Sequence, residues 1–253
     1  MKLKEVDTYF KTLFNPEEFV SSDPSWNGLQ VGDFEKEIKK TAFAVDACME
    51  SFSHAAEKGA DLLFVHHGLF WGKGSPVTGT LYERLHFLIK NNLALYAMHL
   101  PLDAHEEVGN NAAIVRELGL QEIVPFGEHG SRKIGFKGVF SEPKNLDAVL
   151  ERMNLSREEC SVIYPFGKDA IVSVGVVSGG ASDDVTQAIG EDLDLFITGE
   201  GTHQVYHTCL EGRVNMVAAG HYHTERYGVQ STAAKCSRDT GLDTFFIDVP
   251  TGL

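Results

Sequence analysis

Five side chains able to bind a metal ion stand in three short segments: His66 and His67, then Asp103, then His221 and Glu225. Each segment follows an apolar run that reads as a buried strand: Asp61-Leu-Leu-Phe-Val65, Leu93-Ala-Leu-Tyr-Ala-Met98, and Val214-Asn-Met-Val-Ala-Ala219. Strands of an open α/β sheet carry their chemistry at their carboxyl ends, so three such endings can converge on one pocket. Adjacent side chains of an extended chain point to opposite sides. His66 and His67 therefore share one ion only where the strand has turned, and two ions, one per histidine, fit the pair more easily. Neutral imidazole suits zinc, iron, manganese or nickel, and carboxylates bridge two such ions about 3.5 to 4 Å apart. Five protein ligands leave positions for water, as a catalytic site requires.

Glu225 reads as opening a helix over 224–234, with Thr224 as its cap, and a carboxylate there meets the positive helix end. His221 then falls on the preceding loop rather than on the same helix, which differs from the helical histidine motif of metalloproteases. For His54, His86, His105, His129 and His207 the expectation is a hydrogen-bonded or surface place. His99, His203 and His223 stand between the two groups, as residues that orient ligands or substrate, and His99 or His223 is the expected proton shuttle. Two weaker signals lie outside these segments. Ser178-Gly-Gly-Ala-Ser182 follows a strand and precedes a helix, where backbone amides can hold a phosphate or simply form a turn. Lys73, close behind the histidines, reads as facing an anion or as an ordinary solvated lysine.

The elements that must position these residues alternate. An amphipathic helix carries Leu3, Val6, Phe10 and Leu13 and ends at Asn15-Pro16. Helix 51–59, strand 61–65, helix 80–91, strand 93–98 and helix 110–118 follow in the βαβ manner of a largely parallel sheet. The second half repeats the layout: Ala44-Val-Asp46 and Asp61 to Gly68 parallel Val176-Val-Ser178 and Asp194 to Gly201, and Met98-His99 parallels Gly220-His221. The chain therefore reads as a duplicated α/β unit, 1–125 bearing His66, His67 and Asp103, and 126–253 bearing His221 and Glu225. The segment 126–166, punctuated by Gly127, Gly130, Gly135, Gly138 and Pro143, is expected to be an irregular bridge.

The 253 residues, 43% of them hydrophobic, suffice for one large or two small cores. The four cysteines are widely spaced and form no C-x-x-C pair, which suggests reduced thiols rather than a zinc ribbon or disulfide framework. A formal charge of -14 argues against a general nucleic-acid binder, although a small anion can still bind because salt screens charge beyond roughly 8 to 10 Å. No stretch approaches the roughly 20 apolar residues that span a bilayer, and the first segment is too charged for a signal peptide, so no membrane contact and a cytoplasmic place are expected.

His66-His-Gly-Leu-Phe-Trp71, His99-Leu-Pro-Leu-Asp-Ala104 with Gly109-Asn-Asn111, Thr198-Gly-Glu200 and Gly220-His-Tyr-His-Thr-Glu-Arg-Tyr-Gly-Val229 resemble, in order, the motifs of the Nif-three-like proteins, also named GTP cyclohydrolase I type 2 homologues. Trp26-Asn-Gly-Leu-Gln-Val-Gly32 is similar to that family's N-terminal signature. Gly68 stands where the family usually has proline, and the acidic residue usual near Trp26 is displaced. The resemblance implies two intertwined α/β units with mixed, mainly parallel sheets in three layers, a dinuclear metal site on His66, His67, Asp103, His221 and Glu225, and a ring-shaped homohexamer. Two functions follow as expectations. One is a metal-dependent hydrolase of a small anion such as a nucleotide, in which activated water opens the guanine ring at C8 or attacks phosphorus. The other is a non-catalytic metal-binding scaffold.

Overall fold

The computed structural model describes residues 1–253. The chain forms two compact units, Met1–Leu102 with Gly228–Val249, and Asp103–Tyr227 with Pro250–Leu253. No helix is long and apolar enough to cross a membrane.

The first unit opens with α1 (Leu3–Phe14), whose Leu3, Val6, Phe10 and Phe14 form one buried stripe and which stops at Asn15 in the left-handed region, φ 46°. Then come β1 (Gly28–Val31), β2 (Lys40–Asp46), α2 (Met49–Glu57), β3 (Leu62–His67), α3 (Gly79–Lys90), β4 (Ala94–Ala97) and the start of α4 (Leu100–Asp103). The sheet order is β1-β4-β3-β2. β2, β3 and β4 run parallel and β1 antiparallel. Because β3 is buried on both faces, it reads as a continuous apolar run. On one face Leu63, Val65, Leu95 and Ala97 pack with Phe52 and Ala55 of α2 and with Leu88 of α3. On the other, Phe10 of α1 meets Phe64 and Tyr96 with ring centroids 4.9 and 5.0 Å apart. Helix, sheet and helix thus form three layers, and a phenylalanine in such a place is worth about 3–5 kcal/mol against alanine.

The second unit continues with α5 (Asn110–Glu117), β5 (Gln121–His129), β6 (Arg132–Lys144), α6 (Leu146–Arg152), β7 (Val162–Pro165), β8 (Ile171–Val176), α7 (Val185–Gly190), β9 (Leu195–Thr198), α8 (Val205–Gly212), β10 (Asn215–Ala218) and the beginning of α9 (His221–Thr240). Its sheet order is β5-β6-β8-β9-β10-β7, with β8, β9 and β10 parallel. α5 and α6 cover one face through Ile114, Val115, Val149 and Leu150. The segment expected as an irregular bridge lies instead mostly in this sheet, as the β5–β6 hairpin, α6 and β7. Its glycines serve the sheet. Gly130 turns the hairpin at φ 63°, and a Cβ at Gly135 would strike the Val176 carbonyl of the neighbouring strand.

The last part of α9 and β11 (Asp243–Phe246) return to the first unit, where β11 pairs parallel with β2. That pairing is why Gly228–Val249 belongs to the first unit, and the other boundary falls at 102/103 rather than near 125.

The two units share one plan, α-β-β-α-β-α-β, with β1, β2, β3 and β4 answering to β7, β8, β9 and β10. One device recurs at matching places. The Asp61 carboxylate accepts the Lys39 and Lys40 amides at 2.9 and 3.1 Å, and the Asp194 carboxylate accepts the Val172 and Ser173 amides, both at 3.0 Å. The strand bonds set Met98 N on Val65 O and Ala219 N on Thr198 O, so Met98 answers to Ala219, one residue earlier than the sequence alignment with Gly220. In this register His67 answers to Glu200.

Candidate functional site

In the first unit, the imidazoles of His66 and His67 lie 4.6 Å apart at the end of β3, and His99, just past β4, lies 5.0 and 5.7 Å from them. A ring nitrogen from each falls within 4.8 Å of the others. The two neighbours do not splay to opposite faces as in a regular strand. β3 pairs with β4 only as far as Val65 but with β2 as far as His67, so its last residues are held on one side and the alternation relaxes.

Each ring is oriented through Nδ1. His66 Nδ1 lies 3.0 Å from the Met98 carbonyl oxygen, which can only accept, so that nitrogen carries the proton. His67 Nδ1 lies 2.8 Å from Asp46 Oδ1, and His99 Nδ1 lies 2.9 Å from Asp23 Oδ1. An oxygen on Nδ1 fixes the tautomer that presents Nε2 as a donor of its lone pair, the arrangement usual for metal-binding histidines. Asp23 also accepts from the Ser25 and Leu100 amides at 2.9 and 3.0 Å and from Asn27 Nδ2 at 2.8 Å. Burial pushes its pKa up, but His99 and these donors outweigh burial and hold the carboxyl below the usual range. The Trp71 ring stands edge-on to His99, centroids 4.9 Å apart.

In the second unit, α9 begins at His221 itself, because Gly220 at φ 95° turns the chain straight from β10 into the helix. His221 and Glu225 are therefore one turn apart on one helix, not on a loop and a helix as expected. His221 Nε2 lies 3.1 Å from Glu225 Oε1, and Nδ1 lies 2.7 Å from Glu200 Oε1. Burial disfavours the charged ring, yet Glu225 and Glu200 prevail and raise its pKa to about 9. Two carboxylates on one imidazole mark a place built for positive charge. Asp103 is buried and accepts from Asn110 Nδ2 at 2.8 Å and Ser178 Oγ at 3.0 Å.

The Ser178–Ser182 turn does not offer a phosphate cradle. Its Ser178, Gly179 and Ala181 amides donate to Asn111, Thr224 and Thr198 within the unit. The turn instead shapes the carboxylate side: Gly179 sits at φ 68°, and a Cβ there would collide with Glu225 Oε1.

His223 stands apart from His221 and Glu225. Its ring meets Tyr227, with Nε2 3.3 Å from the hydroxyl, and burial together with Arg226 lowers its pKa to about 4. Asp23, Asp46 and Glu200, the carboxylates that orient His99, His67 and His221, escaped the reading of spacing. Glu200 alone carried a signal, in Thr198-Gly-Glu200. Chemically, imidazole and buried carboxylate side chains fit a first-row divalent ion.

A family model for Duf34/NIF3 (NGG1p interacting factor 3) matches residues 1–252. The chain belongs to the Duf34/NIF3 family. Among curated relatives, proteins called GTP cyclohydrolase 1 type 2 homolog from Treponema pallidum and Archaeoglobus fulgidus are each 41% identical, with all of both chains covered. Among solved structures, TTHA1606 from Thermus thermophilus is 38% identical with a TM-score of 0.89, and covers both chains fully. Reduced HcgD from Methanocaldococcus jannaschii is 26% identical over 98% of each chain with a TM-score of 0.83. This Duf34/NIF3 chain thus has the family's α/β fold and side-chain groups able to bind a metal.

Proposed function

We propose that the chain is a dinuclear metal-dependent hydrolase of a nucleotide-like or phosphate-bearing small molecule, in which His66, His67, Asp103, His221 and Glu225 hold two divalent ions. The observation that carries this reading is the uniform treatment of the first unit's imidazoles, all three bonded through Nδ1 to an oxygen and gathered at the carboxyl ends of β3 and β4. The carboxylate-flanked His221 supports it from the second unit. Divalent ions held by such a set supply Lewis acidity and activate water near neutral pH.

The chain's own residues prepare this chemistry. The Met98 carbonyl and Asp46 aim His66 and His67, Glu200 aims His221, and Asn110 and Ser178 fix the Asp103 carboxylate. His99, backed by Asp23, takes the proton of the attacking water and returns it to the leaving group. Of the two histidines expected to shuttle protons, His99 is the one assigned this role, supported by its ring lying 5.0 and 5.7 Å from those of His66 and His67. The relatives' name points to ring opening of guanine at C8 as the reaction to try first, and a ring-shaped hexamer, read by light scattering, belongs to the same proposal.

The test is a turnover panel of GTP, other nucleotides and generic phosphoesters, run with metal quantified. Turnover that needs metal and is lost in His66→Ala and Glu225→Ala supports the enzyme. A chain that retains metal and turns over nothing in the panel is the scaffold instead.

A further inference from the structure

Beside His99 the first unit holds a surface cavity of about 410 Å³ walled by Phe70 and Trp71 and bearing Lys73, Ser75, Thr80 and Arg84. No Asp or Glu lines it, in a chain whose formal charge is -14. Neither cation is spent elsewhere: no carboxylate pairs with Lys73 or Arg84, and Arg84 Nε is buried without a hydrogen-bond partner. A guanidinium and an ammonium with no carboxylate partner leave their charge uncompensated, and an anion held in the cavity compensates it. Thr80 lies in the first turn of α3, which carries no acidic residue, so the helix end adds to the positive potential. Trp71 is 38% exposed and, being edge-on to His99, joins this cavity to the histidine cluster.

We infer that this cavity is a binding subsite for a nucleoside phosphate, with the phosphate held by Lys73 and Arg84 and the planar base laid against the Trp71 and Phe70 wall. The inference deepens the hydrolase reading and rests on it for its purpose: a phosphate anchored here keeps the rest of the ligand next to His67 and His99. Binding energy from a part of the substrate that does not react then orients the part that does. The two cations and the aromatic wall select for a phosphate joined to a flat ring over either alone.

The test is calorimetric titration of the full-length protein with GMP, guanosine and inorganic phosphate at low salt, with bound metal counted on each preparation. In wild type, GMP should bind more tightly than the other two. In the Lys73→Gln/Arg84→Gln double variant its Kd should rise at least tenfold while the metal content stays unchanged. Lys73→Ala/Arg84→Ala, checked for an unaltered melting temperature, repeats the measurement with shorter side chains. GMP affinity equal in wild type and variants, or no GMP binding to wild type at millimolar concentration, overturns the subsite. Inorganic phosphate binding as tightly as GMP overturns the part assigned to the aromatic wall. Preparations that carry no metal but still lose GMP affinity in the variants would sink the hydrolase reading and leave the subsite standing.

Discussion

Asp23 is the buried hinge of the first unit's histidine cluster, and its removal has a calculable cost. Oδ1 accepts from the Ser25 amide and His99 Nδ1, and Oδ2 accepts from the Leu100 amide and Asn27 Nδ2. In Asp23→Ala all four donors lose their acceptor. The half-buried Asn27 and the edge of His99 can turn to water, whereas the Ser25 and Leu100 amides belong to buried residues. An orphaned buried donor costs about 1–3 kcal/mol, so two of them cost about 2–6, and water entering the vacated space brings the sum to about 3 kcal/mol. Asp23→Asn should fare little better, since either oxygen position already faces two donors and the new amide NH2 must oppose one pair. Both tryptophans, Trp26 and Trp71, lie in this unit, so denaturant unfolding followed by their fluorescence reads its stability directly. An Asp23→Asn variant within about 0.5 kcal/mol of wild type, inside the usual scatter of surface substitutions, would refute the reasoning.

Other consequences follow from the same contacts. Gly179→Ala should destabilise the second unit by about 1–2 kcal/mol through its left-handed backbone alone, and should lower bound metal by displacing Glu225; denaturation and elemental analysis check the two effects separately. Asp194→Ala should cost about 1–3 kcal/mol by orphaning the Val172 and Ser173 amides, and Asp61→Ala less in the other unit, because the exposed Lys39 amide turns to water. Although burial pushes the Asp194 pKa up, Lys168 and those amides hold it below the usual range. Its contribution is therefore complete above the unfolded value of about 4 and is lost as pH falls through the lower folded value. Acid titration of wild type against Asp194→Asn, followed by circular dichroism, should show the two stabilities converging below about pH 4.

The strands were legible because burial on both faces writes itself as an apolar run, and the candidate pair His66-His67 stands at the end of such a run. The carboxylates that aim the imidazoles were not legible. Asp23 meets His99 across 76 residues and Asp46 meets His67 across 21, separations that no local period records. The start of α9 was misplaced because Gly220-His-Tyr-His lacks an apolar stripe, and only the φ of Gly220 reveals that the chain turns into a helix there. The β5–β6 hairpin was hidden for a related reason: glycines that usually break a pattern are here demanded by the close approach of neighbouring strands, as the Val176 carbonyl demands Gly135. The register of the duplicate slipped by one residue, since apolar alternation tolerates a shift that ladder hydrogen bonds do not.

Anomalous diffraction from crystals of the protein as isolated, collected at the absorption edges of zinc, iron, manganese and nickel, tests the two-ion site most directly. Two peaks are expected, about 3.5 to 4 Å apart, bound by His66, His67, Asp103, His221 and Glu225. A well-ordered structure with no peak at these side chains, or with a single ion held elsewhere, would contradict the dinuclear reading.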